Sequence, residues 1–200
     1  MPPSADTLVS ALSELYVAEL DSAGPLAALA LRGADLQWLN ERPHDAFDDI
    51  VYTLLSLSDL PQAERIAAAR AYLPWGTSPL TADKSGEVAA CYSVATLMGP
   101  EGPVICPDHR LGLFYQQPNT YYPLHIHMAD ETYVILAGRA IWTAGDDTRP
   151  RVPGDMIHHP SLMPHAFRTG PEGLLALWRW SGDIDPAKYD MVPDPALAAA

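Results

Sequence analysis

Two histidines and a glutamate occur close together in the middle of the chain, as His125, His127 and Glu131. Side chains of an extended strand alternate between its two faces, so His125 and His127 point the same way and Ile126 points to the other side. Imidazole and carboxylate groups are common ligands of divalent transition metals. Because paired ligands on a helix stand four residues apart rather than two, this spacing predicts a metal site built on a strand.

A fourth ligand is expected from a distant part of the chain, and His165 is the candidate. It follows a Gly154-Asp155 turn, a short β-prone run and a second turn that begins at Pro160, a pattern typical of a hairpin with an imidazole at its rim. The adjacent His158 and His159 cannot both face the same side of a strand. We interpret them as strand residues in a hydrogen-bonded shell rather than as ligands.

Tyr133 lies two residues after Glu131, so both side chains face the same way on a strand. A nearby divalent cation favours the phenolate and lowers the pKa of a phenol from its usual value of ~10. Tyr133 is therefore a candidate general base. The alternative is a core aromatic residue with no chemical role.

Aromatic residues flank the histidine segment and recur in the last long β-prone run. Tyr122 stands before His125, while Trp178 and Trp180 share one face of a strand with Arg179 on the other. Aromatic ring faces suit an onium cation, which predicts an aromatic box beside the metal. A packed aromatic core explains the same pattern, and the sequence leaves both interpretations open.

The chain changes character near residue 85. Before this point apolar residues recur at helical spacing, which predicts an N-terminal helical extension over residues 1–85. After it, short β-prone runs alternate with turn residues, which predicts an all-β barrel or sandwich over residues 86–192. Residues 193–200 are rich in Pro and Ala and are predicted to form a flexible tail. The extension is expected to serve as a lid, a dimer contact or both, in a monomer or a homodimer.

The same patterns also predict individual helices and strands. Leu26 and Leu29 belong to the apolar helical pattern, and Pro25 is expected to interrupt or stop a helix. The predicted strands include residues 121–127 and 156–159. They also include four separate runs, over residues 132–137, 140–143, 166–169 and 174–180.

Composition narrows the choice of partners and compartment. The formal net charge is −13, which disfavours nucleic acid and anionic membrane surfaces as partners. No apolar run reaches the ~20 residues needed to span a bilayer, and the N-terminus lacks the basic start and apolar core of a signal peptide. We therefore expect a cytoplasmic protein. The two cysteines, Cys91 and Cys106, are expected to be reduced and buried.

The two histidine-containing segments together resemble the signature motifs of the cupin superfamily. The first motif, H-x-H-x3-E-x6-G, is matched by His125, His127, Glu131 and Gly138. The second, P-x-G-D followed by P-x4-H, is matched approximately and ends at His165. The resemblance implies a mainly β cupin fold, which is a double-stranded β-helix or jelly-roll barrel, with one divalent transition metal per chain.

A longer resemblance is to the cupin-type dimethylsulfoniopropionate (DMSP) lyases of marine bacteria, and among these to the DddQ kind. It rests on the tyrosine-containing first motif over residues 121–138, on the Trp178-Arg179-Trp180 strand and on the helical extension. The family implies a carbon-sulfur lyase that cleaves DMSP, a zwitterionic onium carboxylate, to dimethyl sulfide and acrylate. A generic cupin has no need of a tyrosine at position 133, so this motif is the most specific part of the resemblance.

The resemblance also implies a set of metal ligands. His127, Glu131 and His165 are the expected ligands, and His125 either completes the set or donates a hydrogen bond from the substrate side. A site of this composition suits Zn, Fe, Mn, Co or Ni, and the order of affinities does not select one of them.

Catalytic and substrate-binding roles follow from the same resemblance. Tyr133 is the expected general base, which removes a proton next to the metal-bound carboxylate, and Tyr122 is the second candidate catalytic residue. Tyr122 and Trp180 are expected to contact the sulfonium methyl groups, with Trp178 and Phe114 as further candidates.

Two other function classes remain open at this point. A different metal-dependent cupin enzyme, an oxygenase or isomerase acting on a small carboxylate, would use the same histidine and glutamate ligands. A non-catalytic cupin sensor is disfavoured, because the sequence has no helix-turn-helix with a basic surface and a sensor has no requirement for the phenol of Tyr133.

Overall fold

The computed structural model describes residues 4–76 and 91–195. Within these ranges the protein is mainly β, with helices before residue 76 and strands after residue 91. This confirms the predicted fold class of a β-barrel with an N-terminal helical extension. The predicted boundary near residue 85 lies outside the described residues.

Helices form the extension: α1 (Ala5–Val17), α2 (Ala23–Arg32), α3 (Ala46–Ser56) and α4 (Ala63–Ala68), followed by a short 3₁₀ turn at Arg70–Tyr72. Ser4 caps α1, because its side chain accepts a hydrogen bond from the Thr7 N–H at 3.2 Å. Asp45 and Asp48 form a capping box at the start of α3. These caps satisfy backbone donors that have no partner in the first turn of a helix.

The face that α2 buries differs from the predicted one. Leu26 and Leu29 are 55% and 69% exposed, whereas Ala27 and Ala28 are buried. Leu31 is buried as well, and α2 packs against α1. Pro25 lies in the first turn of α2 and does not stop a helix, because the N–H that proline lacks has no intrahelical partner there.

The strands are β1 (Tyr92–Gly99), β2 (Val104–Ile105), β3 (Arg110–Gln116), β4 (Tyr121–His127), β5 (Ala129–Ala144), β6 (Asp147–Arg151), β7 (Met156–His159), β8 (His165–Gly182) and β9 (Tyr189–Met191). They are hydrogen bonded in the order β2-β1-β3-β8-β4-β9, and β5 pairs with β6, β7 and β8. The β1–β2 pair is parallel and the β5–β8 pair is antiparallel. Strands β2, β6 and β9 were not among the predicted ones.

Two long strands, β5 and β8, replace the four shorter predicted runs. They pair over most of their length, with register shifts at Ile135/Ala137 and at Gly138/Ala140. Gly138 has a φ of +76°, and a Cβ on it would lie 2.0 Å from the carbonyl oxygen of Gly173. Only glycine fits this close approach of the two strands.

Alternation along β8 separates two apolar layers. Leu175 and Leu177 belong to a buried cluster shared with the helices, whereas Ala176, Trp178 and Trp180 belong to an aromatic cluster inside the barrel. The described helices therefore pack on the outer face of the sheet.

A buried ion pair connects Glu19 of the helical extension with Arg179 of β8. The Arg179 guanidinium donates to the Glu19 carboxylate at 2.7–3.1 Å. Tyr16 of α1 donates to the carbonyl oxygen of Trp178 at 3.0 Å. The extension is thus attached to the outer face of the strand whose inner face carries Trp178 and Trp180.

The end of the described chain is also attached to the barrel. Strand β9 pairs with β4, and the Asp194 carboxylate accepts hydrogen bonds from the Tyr121 hydroxyl and the Leu124 N–H, both at 2.8 Å. Asp194 lies within residues 193–200, for which the flexible tail stays a prediction.

Two smaller expectations concern the cysteines and the membrane. Cys91 and Cys106 are buried and form no disulfide in the described ranges, as predicted. Across residues 4–76 and 91–195, none of the helices has the length and apolar character needed to cross a bilayer.

Candidate active site

A cavity of about 30 Å³ lies inside the barrel. The residues that line it are Tyr92, Val94, Phe114, Tyr122, His125, His127, Glu131, Tyr133, Trp178, Trp180 and Tyr189. Among the described residues the lining therefore comes from strands only. It contains every candidate site residue from the sequence except His165, which lies beside His125.

Strand pairing brings the histidines together. His125 and His127 are both buried on β4, and His125 pairs with His165 of β8. Ring centres are 3.9 Å apart for His125 and His165, and 5.0 Å apart for His127 and His165. One ring nitrogen from each of the three residues lies within 4.8 Å of the others.

Each of these histidines has its Nδ1 atom against a backbone carbonyl oxygen. The pairs are His125 with Pro123 at 2.8 Å, His127 with Ala129 at 2.9 Å, and His165 with Met163 at 2.8 Å. A carbonyl oxygen can only accept, so we assign the ring proton to Nδ1 in each case. A neutral imidazole has a single N–H, so each Nε2 presents a lone pair, as in histidines that bind metals.

These lone pairs face a carboxylate. Glu131 Oε2 lies 3.1 Å from His127 Nε2 and 3.2 Å from His165 Nε2. Acceptors this close repel one another unless positive charge lies between them. Ligand atoms ~2.0–2.2 Å from a tetrahedral zinc ion stand roughly 3.3 Å apart, similar to these separations. The side chains therefore fit a divalent cation.

Glu131 is held in place from the next strand. Trp180 pairs with Glu131 across β5 and β8, and its indole N–H donates to Glu131 Oε1 at 2.6 Å. Burial by itself raises the pKa of the Glu131 carboxyl, but positive charge at the surrounding ring nitrogens, first of all at His127, outweighs it and holds the pKa well below its usual range. With the neutral rings assigned above, a bound cation would supply that charge. Glu131 is thus an anionic group suited to a metal.

We expect Trp180→Phe to weaken metal binding by about 10–100-fold, the usual effect of losing a group that orients a metal ligand. An aromatic ring face is kept, but the buried side chain becomes smaller and loses the N–H that holds Glu131. Affinity can be measured by competition with a chromophoric chelator. Trp178→Phe is the matched control, because the Trp178 N–H has no hydrogen-bond partner in the described chain. Equal affinities in the two variants would mean that Trp180 acts only through its ring, as the sequence suggested.

Tyr133 is buried, and its hydroxyl feels the negative charge of the neighbouring Glu131 carboxylate. Burial, and then the negative charge of Glu131, raise the pKa of Tyr133 well above its usual value. The phenol on its own therefore stays protonated near neutral pH. To act as a base, Tyr133 would need its pKa lowered by positive charge at the neighbouring histidine and glutamate cluster.

Tyr189 is a cavity residue that sequence reasoning missed. Its hydroxyl lies 2.8 Å from that of Tyr122, and its ring stacks on His125 with centres 4.9 Å apart. Burial raises the pKa of both phenols well above the usual value. No local signal marks Tyr189, because only the pairing of β9 with β4, which sets it opposite His127, brings it into the barrel.

The aromatic residues predicted to form a box around an onium cation are also the packed aromatic core of the barrel. Phe114 makes an edge contact with Tyr122 at 5.8 Å between ring centres, and Trp178 makes one with Trp180 at 6.0 Å. The same residues line the cavity. Both sequence-based interpretations therefore describe one set of rings.

The pairing of β7 with β5 distinguishes His158 from His159. His158 pairs with Thr132, is 45% exposed, and has its Nε2 3.0 Å from Asp130. His159 pairs with Glu131 and is fully buried, and its Nε2 accepts a hydrogen bond from the Trp142 indole at 3.0 Å. Only His159 faces the interior.

The antiparallel barrel with inward-facing histidines and a glutamate is that of a cupin with a candidate metal centre. Comparisons with known proteins narrow this class. The model of the dimethylsulfoniopropionate lyase family matches residues 45–176, well over half of the chain, and the match contains the histidine and glutamate cluster and Tyr133. The chain therefore belongs to the DMSP lyase family.

Individual relatives agree with this assignment. The DMSP lyase DddQ of Ruegeria pomeroyi is 39% identical over 106 residues, which make up 52% of this chain and 51% of that protein. The crystal structure of DddQ from Ruegeria pomeroyi DSS-3 has a TM-score of 0.66 at 26% identity, covering 98% of this chain and 99% of that one. A crystal structure from work on the DMSP lyases RdDddP and RnDddQII has the same fold, with a TM-score of 0.68 at 22% identity over 94% and 98% of the two chains. In the sequence comparison, the chain spans about half the length of the curated relative that it matches.

Proposed function

We propose that the protein is a metal-dependent DMSP lyase, a carbon-sulfur lyase that eliminates dimethyl sulfide from DMSP and releases acrylate. Membership of the family and the activity named for DddQ support the proposal. The observation that carries it is the approach of histidine lone pairs to the buried Glu131 carboxylate, beside the phenol of Tyr133.

In this proposal His125, His127, Glu131 and His165 hold one divalent transition metal, and the ligand set is compatible with Zn, Fe, Mn, Co or Ni. A bound cation supplies positive charge that attracts the substrate carboxylate, acidifies the adjacent C–H bond and favours the phenolate. His125 is assigned as a ligand rather than a substrate-side donor. Its single N–H is already used by the Pro123 carbonyl oxygen, which leaves a lone pair on Nε2.

Tyr133 is the proposed general base. Its phenolate oxygen takes the proton from the carbon next to the carboxylate, and the C–H electron pair becomes the double bond of acrylate. The C–S bond breaks, and its electron pair leaves on neutral dimethyl sulfide. This elimination needs no water, no oxygen and no change in oxidation state, which separates it from the chemistry of a cupin oxygenase.

The sulfonium group is proposed to rest against the rings of Tyr122, Trp178 and Trp180, with Phe114 behind them. Attraction of a cation to an aromatic face amounts to ~0.5–2 kcal/mol, and it is larger when water is excluded. Tyr122 also contributes its hydroxyl, which is hydrogen bonded to that of Tyr189, and its ring makes an edge contact with His125 at 4.8 Å between centres. It is therefore the second residue proposed to act on the substrate directly.

The proposal is tested by incubating purified, metal-loaded protein with DMSP. Dimethyl sulfide is measured by headspace gas chromatography and acrylate by liquid chromatography. We expect equal amounts of the two products and loss of both after chelation, with recovery when metal is restored. Absence of dimethyl sulfide from protein that holds its metal would overturn the proposal, and oxygen uptake with small carboxylates would then test the oxygenase alternative.

A further inference from the structure

His159 is a fully buried polar residue to which the proposed chemistry gives no role. Its ring stacks on that of His165, with centres 4.1 Å apart and planes 10° from parallel. It also stands opposite Glu131 in the strand pairing. Burial of an imidazole is costly unless its nitrogens have partners, so the contacts of His159 define what it can do.

Two roles are compatible with the distances. His159 Nδ1 makes no hydrogen bond in the described chain, but it lies 3.5 Å from Glu131 Oε2. Ligand atoms of His159, Glu131 and His165 all lie within 4.8 Å of one another. Through Nδ1, His159 can therefore be a metal ligand or a hydrogen-bond donor to Glu131. The two roles differ in whether Nδ1 carries a proton.

The contact with Trp142 shows which of the two roles, metal ligand or hydrogen-bond donor, His159 can take. Its indole N–H can only donate, and it lies 3.0 Å from His159 Nε2. Nε2 must therefore accept, which requires a neutral ring whose single proton is on Nδ1. A protonated Nδ1 has no lone pair for a metal, but it has an N–H to offer to the carboxylate.

The orientation of His159 is the reverse of that of the proposed ligands. His127 and His165 direct Nδ1–H at backbone carbonyl oxygens and present Nε2 to Glu131. His159 has its Nε2 occupied by an indole and its Nδ1 toward the same carboxylate. His127 and His165 therefore face Glu131 with the lone pair of Nε2, whereas His159 faces it with the proton of Nδ1.

We propose that His159 is a positioning residue for Glu131, with its tautomer fixed by Trp142. The inference rests on the metal site of the proposed function. Trp180 donates to Oε1, whereas His159 Nδ1 is buried, makes no hydrogen bond in the described chain and stands 3.5 Å from Oε2. A small shift of the carboxylate brings Oε2 within reach of this N–H, and in the proposed role the contact directs Oε2 between the lone pairs of His127 and His165.

Three variants test this role through metal binding rather than activity. His159→Leu removes both nitrogens, whereas His159→Asn keeps an amide N–H close to the position of Nδ1. His158→Leu is the matched control, because it changes the adjacent, half-exposed histidine on the other face of β7. Affinities for Zn²⁺ and Co²⁺ are measured by chelator competition, and the visible spectrum of the cobalt protein reports the ligand set.

We expect His159→Leu to bind metal about 10–100-fold more weakly than the parent, which is the usual effect of losing a group that orients a ligand. His159→Asn should recover part of the loss and keep the cobalt bands of the parent, and His158→Leu should bind like the parent. Parent-like affinity in His159→Leu would overturn the inference. Altered cobalt bands in His159→Asn, without recovery of affinity, would make His159 a ligand and also overturn it. If the parent itself binds no metal, the proposed function fails first.

Trp142→Phe tests the second part of the inference. The indole stacks on Phe167 with ring centres 4.0 Å apart, and a phenyl ring can still stack there, but the side chain becomes smaller and the N–H to His159 is lost. We expect weaker metal binding than in the parent and little further loss when this change is combined with His159→Leu, because the two residues act through one path. Full additivity of the two losses would show that Trp142 does not act through His159. Circular dichroism of each variant confirms that the affinities refer to folded protein.

Discussion

Replacing Tyr133 with phenylalanine is expected to lower the rate of the proposed DMSP elimination by ~10²–10⁴-fold, the range usual for loss of a general base, which is the role proposed for Tyr133. The substitution removes only a hydroxyl, and the ring can still pack between Phe114 and Trp142, whose centres lie 6.0 and 4.9 Å away. Metal content is expected to stay near that of the parent, because the proposed ligands are histidine and glutamate side chains.

The measurement is kcat and KM by gas chromatography, together with metal content by mass spectrometry. Tyr115→Phe is a matched control, since Tyr115 is a buried tyrosine whose ring contacts Phe47 on the outer side of the sheet. Retained activity in Tyr133→Phe would remove Tyr133 from the role of base. Loss of metal together with activity would instead show that the phenol helps to hold the cation.

The second large effect is expected when the buried ion pair between the helical extension and β8 is broken. Arg179→Met should lower the free energy of unfolding by about 3–5 kcal/mol, because it leaves a buried carboxylate without its partner. The side chains of Arg179 and Glu19 are 0% and 1% exposed, so water cannot take the place of the lost contacts.

Denaturant unfolding, followed by tryptophan fluorescence, measures this change. Arg65→Met is the control, because it breaks the Arg65–Glu14 pair, whose side chains are both 37% exposed, and should cost less than about 1 kcal/mol. The double variant Glu19→Leu, Arg179→Met should recover much of the stability, since no unpaired charge remains. A loss as small as that of Arg65→Met would mean that Glu19 reaches water when Arg179 is removed.

Strand alternation explains why much of the candidate site was predictable. The inward direction of His125 and His127, and of Glu131 and Tyr133, follows from spacing within single strands. The structure brings these four residues to one cavity. Local geometry of this kind does not depend on the rest of the fold, so the sequence is sufficient for it.

Pairings between distant strands were not predictable in the same way. Alternation shows that one of His158 and His159 faces inward, but only the pairing of β7 with β5 determines that it is His159. Tyr189 enters the cavity because β9 pairs with β4, and a strand of three residues has no periodicity to detect. Such contacts depend on tertiary structure rather than on local pattern.

The helical extension shows the same limit in another form. Spacing identified α2, but not which side of it is buried. Leu26 and Leu29 are exposed, whereas Leu31 and the neighbouring alanines are buried. The buried side depends on the elements that pack against the helix, which apolar periodicity within the helix does not report.

The cavity beside the histidines has a volume of about 30 Å³. A buried cavity needs only ~10–15 Å³ of space open to a water-sized sphere to hold a water molecule, so there is room for solvent beside the histidine lone pairs. Under the proposed function DMSP displaces this solvent when it binds. The affinity for the substrate then includes the free energy of releasing that water as well as the contacts with the rings and the metal.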